Sequence, residues 1–164
     1  MRNTRVAVCV GMLIVLASAT AVLAADNFSG TWKLNVAKSK YSPGPAPQSG
    51  TTKIEATADG LKISADGMNA EGKKTHTEYS AKFDGKDYPD KVLLDGKADP
   101  DGADMISIKK IDDFTFEATT KRQGKVLTVT KNVISSDGKT RTQTSTGVNA
   151  QGKPVSNTVV YERQ

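Results

Sequence analysis

Asp-Gly pairs punctuate this 164-residue chain at strand-length intervals. They stand at Asp59-Gly60, Asp66-Gly67, Asp84-Gly85, Asp95-Gly96, Asp101-Gly102 and Asp137-Gly138, with Gly124-Lys125 in the one long gap. Both residues of such a pair tolerate positive φ, so each pair favours a tight hairpin. Turns this regular leave room for short strands between them: a meander, a sandwich or a barrel.

The segments between the turns alternate. Leu61, Ile63 and Ala65 interleave with Lys62, Ser64 and Asp66; Tyr79, Ala81 and Phe83 with Ser80 and Lys82; Phe114, Phe116 and Ala118 with Thr115, Glu117 and Thr119. Period two marks half-buried strands, and no stretch after residue 25 carries a helical stripe. Ten strands are predicted, at 28–35, 51–58, 61–67, 74–83, 86–94, 104–111, 114–121, 125–134, 139–147 and 154–163. The segment 35–50 breaks the rhythm: three prolines in five residues (Pro43, Pro45, Pro47) exclude a central strand or a helix interior. It reads as a Pro-rich loop across one end, either a connector or a lid over a cavity mouth. Gly67-Met68-Asn69-Ala70-Glu71-Gly72-Lys73 returns eighty positions later as Gly147-Val148-Asn149-Ala150-Gln151-Gly152-Lys153. The copies are either a true internal repeat or two good turns converging on the same letters.

The first residues differ from the rest. Arg2 and Arg5 precede an apolar run from Val6 to Ala19, and Val22-Leu23-Ala24 offers compact residues to a signal peptidase. This is the layout of a secretory signal peptide, its apolar stretch short for a membrane-spanning helix; an uncleaved N-terminal anchor is the alternative. Residues 1–24 are therefore expected to be cleaved, after Ala24 or Ala25. That leaves one domain, 25–164, in a periplasm or outside the cell. The single cysteine, Cys9, leaves with the signal, so disulfides, thiol catalysis and cysteine-bound metal are not expected. The formal charge of +5 falls to +3 without Arg2 and Arg5, and the lysines are scattered. That is a solvated surface rather than a nucleic-acid footprint.

Two strings at the ends of the mature chain carry a family resemblance. Phe28-Ser29-Gly30-Thr31-Trp32-Lys33-Leu34 opens the first strand, and Thr158-Val159-Val160-Tyr161-Glu162-Arg163 closes the last. A Gly-x-Trp start with a basic residue near the end resembles the lipocalin and fatty-acid-binding-protein (calycin) superfamily. More loosely, the domain resembles small exported bacterial proteins of lipocalin-like type. The resemblance implies that the first and last strands are neighbours and that Trp32 plugs the closed end of a barrel, packed against Arg163. It also marks two departures. The Pro-rich loop stands where fatty-acid-binding proteins carry two short helices, and Val159 stands where their Arg-x-Tyr has arginine.

A barrel also follows from physics, because closure removes the exposed edges of an open sheet. The fold expected is all-β, a single antiparallel up-and-down barrel of about eight to ten strands. Its inward set is Trp32, Leu34, Ile54, Ala56, Ala58, Leu61, Ile63, Ala65, Tyr79, Ala81, Phe83, Ile106, Ile108, Phe114, Phe116, Ala118, Val159 and Tyr161. Five of these are alanines, and small inward residues leave space for a ligand.

The strand 139–147 is polar on both faces. Thr140, Thr142, Thr144 and Thr146 share one; Arg141, Gln143 and Ser145 share the other. If the second face points inward, Arg141 meets an acidic ligand group; otherwise the strand is edge-like and wet on both sides. His76, the only histidine, falls by parity on the outside, so no Ser-His-Asp constellation and no zinc site is expected. Asp95, Asp99, Asp101 and Asp104 crowd one turn region without completing a calcium loop.

The function expected is retention of a small, partly hydrophobic ligand by a non-catalytic, monomeric barrel with no cofactor. Tyr161, Tyr79, Phe116 and Arg141 line its cavity, with Trp32 and Arg163 as structural plug. Two rivals remain open. One is an envelope interaction module with a filled core; the other is a hydrolase with convergent carboxylates.

Overall fold

The computed structural model describes residues 26–164; the expected signal peptide lies outside the described residues. Eleven antiparallel strands form the domain: β1 Gly30–Lys40, β2 Ser49–Ala56, β3 Gly60–Met68, β4 Lys74–Lys82, β5 Tyr88–Leu94, β6 Lys97–Ala98, β7 Met105–Lys110, β8 Thr115–Arg122, β9 Lys125–Ile134, β10 Thr140–Val148 and β11 Pro154–Arg163. Ten of them close a barrel, each beside its sequence neighbours. β6 is a two-residue appendage paired to the end of β5. The ring is sealed at β1–β11 and at β4–β5. This is an up-and-down barrel compatible with a calycin-like fold.

The expected strands and the observed ones agree in number and order apart from β6. The Pro-rich segment is shorter than expected. β1 continues to Lys40, so the loop spans only 41–48. The register with β11 slips between Asn35 and Lys40, then resumes at Lys40 opposite Thr158. A serine repairs the slip. Ser39 Oγ donates to the Asn35 carbonyl at 2.7 Å and accepts the Val160 N–H at 3.0 Å. Period-two pattern is lost across such a bulge, so the sequence hides the rest of the strand.

Cross-strand rows identify the inside. One runs Ile54–Ile63–Tyr79–Asp90 across β2 to β5. Another runs Leu34–Tyr161–Arg141–Ile134 across β1, β11, β10 and β9. The core holds Trp32, Ile54, Leu61, Ile63, Ala81, Ile106, Ile108, Phe116, Ala118 and Ile134, together with Phe28 from the segment before β1. Three of the expected inward residues are exposed. Ala56 faces Leu61 but ends its strand at the rim, and Ala58 lies in the β2–β3 turn. Phe114 lies in the β7–β8 turn, 38% exposed, because β8 starts only at Thr115.

The two similar seven-residue strings form the same turn at the same end of the barrel. The Asn69 side chain accepts from the Glu71 and Lys73 amides, and the Asn149 side chain from those of Gln151 and Lys153. Each turn places glycine at positive φ, Gly72 at 78° and Gly152 at 75°, where L side chains are strained. The likeness of letters thus corresponds to one turn chemistry present twice.

At the other end Trp32 is completely buried, and its indole N–H donates to the Phe28 carbonyl at 3.2 Å. The Arg163 guanidinium lies 4.4 Å from the Trp32 ring. It donates to the carbonyls of Gly138 at 2.6 Å, Ser29 at 2.6 Å and Asn27 at 2.8 Å. One side chain thus ties the start of the domain, its last strand and the β9–β10 turn. Replacing it leaves three carbonyls without their donor. Arg163→Met is expected to cost about 2–4 kcal/mol in urea unfolding, with the slope of the transition unchanged.

Candidate functional site

The interior divides by chemistry along the barrel axis. Below, at the end plugged by Trp32, the space is filled. Phe28, Phe83 and Phe116 meet there, with ring centroids 5.2 Å apart for Phe28–Phe116 and 6.1 Å for Phe28–Phe83. Above this layer the wall formed by β8 to β10 is polar. Gln143 donates to Asn132 at 2.8 Å, and the hydroxyls of Thr130–Ser145 and Thr120–Thr128 each meet at 2.8 Å. The Arg141 face of β10 therefore points inward, the arrangement that lets Arg141 meet a ligand.

Arg141 is 1% exposed. Its guanidinium carbon sits 4.2 Å from the centroid of the Tyr161 ring and 5.9 Å from that of Trp32. Trp32 is thus flanked by two arginines with opposite fates. Arg163 donates to three carbonyls, whereas Nε and Nη2 of Arg141 have no partner among the described residues. Burial lowers the Arg141 pKa, and the nearby Tyr161 and Tyr79 phenols oppose that shift. Aromatic faces satisfy part of a cation's need, but they do not accept the in-plane N–H groups.

Tyr79 faces this cation from β4. Burial holds its phenol well above the usual range; the Asp90 charge adds to that and Arg141 counters it. Asp90 stands opposite Tyr79 on β5, 9% exposed, with Oδ1 unpartnered. Burial pushes its pKa up to about 6. Asp90 is not among the residues expected from sequence to line the cavity. The available signal was an aspartate on the inward parity of Tyr88, Val92 and Leu94.

Of the six residues named from sequence, Arg141, Tyr161 and Tyr79 come together, and Trp32 and Arg163 stack just beneath. Phe116 is drawn away, buried among the phenylalanines of the filled end. A hollow of about 150 Å³ opens at the far end, lined by Leu34, Thr52, Ala65, Thr77 and Tyr161 and overhung by Tyr41 and Pro47 of the Pro-rich loop. Tyr161 is the wall between this hollow and Arg141. Burial and the nearby Tyr161 raise the Tyr41 pKa to about 12, as expected for a phenol folded over the mouth. A separate hollow of about 280 Å³ lies outside the plugged end, against Phe28, Phe83 and Ala56. It is remote from the interior charges.

His76 lies away from all of this, its Nδ1 2.8 Å from Asp66 Oδ1. Asp99 and Asp104 are occupied by loop amides, those of Asp101 and Gln123. Among the described residues, no group of three or more His, Asp or Glu side chains is placed to hold a metal ion. No protein-family model matches the sequence, and no curated protein matches it; the site stands on its own geometry.

The Asp90 environment makes stability depend on pH. Its folded pKa is raised above the usual carboxylate value, so the folded state takes up a proton more readily than the unfolded chain. Its cost is absent in acid, grows as pH rises from about 4 to about 6, and is complete above that. Asp90→Asn is expected to raise the melting temperature near pH 7.5, a gain of about 1–2 kcal/mol. Near pH 4 most of that gain should vanish, which thermal melts at the two pH values will show.

Proposed function

We propose that this domain is an exported, lipocalin-like barrel that holds a small, partly apolar acid in its interior. The observation that carries the reading is Arg141, a fully buried guanidinium whose Nε and Nη2 edge has no partner among the described residues. Buried cations are costly unless paired and hydrogen-bonded, so a carboxylate or similar oxyanion on that edge would supply two charge-assisted bonds. Tyr161 and Tyr79 would flank the apolar part of the ligand, whose transfer from water adds to affinity. The hollow beneath Tyr41 and Pro47 supports access from the far end, with Tyr161 turning aside to admit the acid group. In this reading the protein binds and does not catalyse.

A second reading, a filled interaction module, is favoured by apolar side chains exposed beside the plugged end, Ile111 at 59%, Phe114 at 38% and Val133 at 36%. The two readings separate on Arg141. Thermal-shift and calorimetric titration with short aliphatic and aromatic acids should give a saturable rise in melting temperature for the wild type. Arg141→Met should weaken that binding at least about tenfold while leaving the unliganded protein as stable or more so. A wild type indifferent to every acid would move the assignment to the interaction module.

A further inference from the structure

A second buried group deepens the reading of Arg141 as an acid anchor, and its proposed role depends on that reading. Among the described residues, the buried side-chain atoms without a hydrogen-bond partner belong to two residues, Arg141 and Asp90. Their charges are opposite and both point into the barrel, on rows that also carry Ile134 and Ile63. Neither satisfies the other, since Nε and Nη2 of Arg141 and Oδ1 of Asp90 are all left over. Tyr79 is the direct cross-strand neighbour of Asp90 on the same inward row. Asp90 also borders the flank of the barrel. It lines a hollow of about 330 Å³, with Val92, Asp104 and Arg122, where β5 and β7 pair at only two positions.

We propose that the ligand is bipolar: an acid group held by Arg141, an apolar or aromatic body against Tyr79 and Tyr161, and a hydrogen-bond donor, best an ammonium, held by Asp90. A simple acid would satisfy the cation and leave a desolvated carboxylate unpaired elsewhere in the same interior. A site built with a buried acceptor rejects ligands that lack the matching donor, because the acceptor then stays unpaired. An amino acid whose two ends are separated by several atoms fits both needs; a plain fatty acid fits only one. Asp90 is thus a specificity-determining residue, and Arg141 the shared anchor.

The test uses matched pairs that differ only by the amine: propionate with β-alanine, hexanoate with ε-aminohexanoate, and para-methylbenzoate with para-aminomethylbenzoate. Each is titrated calorimetrically into wild type, Asp90→Asn and Arg141→Met. In at least one pair the amino acid should bind the wild type about tenfold or more tighter than its plain acid. Asp90→Asn should erase that preference, since the ammonium loses its partner and the plain acid no longer leaves a carboxylate unpaired, so the two members converge; Arg141→Met should weaken both. Equal binding within every pair, or a preference that survives in Asp90→Asn, overturns the role of Asp90 and leaves the acid site standing. If no compound binds the wild type, both readings fall. Should either variant fail to fold, equal binding within every pair in the wild type still overturns the role of Asp90.

Discussion

Everything in this molecule depends on the chain's two ends meeting. β1 and β11 are the first and last strands, and their pairing converts a long meander into a ring with no edge there. An open sheet of this length would expose two rows of unpaired backbone groups. Trp32 and Arg163 stand opposite each other at this seam. The indole fills the end of the barrel, and the guanidinium covers its face while binding three carbonyls from two separate segments. Hydrophobic burial and hydrogen bonding thus act at one point, where the sequence separation is greatest.

Closure also creates the problem that defines the interior. A closed barrel has a shielded inside, and polar groups there must find partners within it. Most do: Asn132 with Gln143, Thr130 with Ser145, Thr120 with Thr128. Arg141 and Asp90 do not. Such groups lower stability, and the proposed binding role rests on them. The contrast between Arg163 and Arg141 makes the point within one layer. Both approach Trp32, yet all three nitrogens of one donate to carbonyls and the other is left with a free edge among the described residues.

Much of the fold was legible in the chain. Asp-Gly pairs and period-two segments are local signals, and β3, β4, β8 and β9 lie within a residue or two of where those signals place them. The bulge after Asn35 was not legible, because its repair depends on Val160, more than a hundred residues away. Ala56 and Phe114 show a related failure. Parity tells which way a side chain points, but not whether anything covers it at the rim of a barrel. The candidate site was half visible. The polar face of β10 stands out as an oddity in the sequence, and it carries Arg141; Tyr79 and Tyr161 stand on inward parities of their own strands. Asp90 has no such mark, since one aspartate in an Asp-rich chain shows no local sign of burial.

The sequence alone determined the strands, their turns and two alternating faces, since these follow from backbone preference and side-chain spacing over a few residues. Only the tertiary structure decided which face of β10 is inside, that Phe116 joins Phe28 and Phe83, and that Arg141 and Asp90 share an interior. Those outcomes depend on the register of strands brought together by closure, which sets both burial and partners. A residue's charge is written in the chain; whether that charge has anything to bind is a property of the closed barrel.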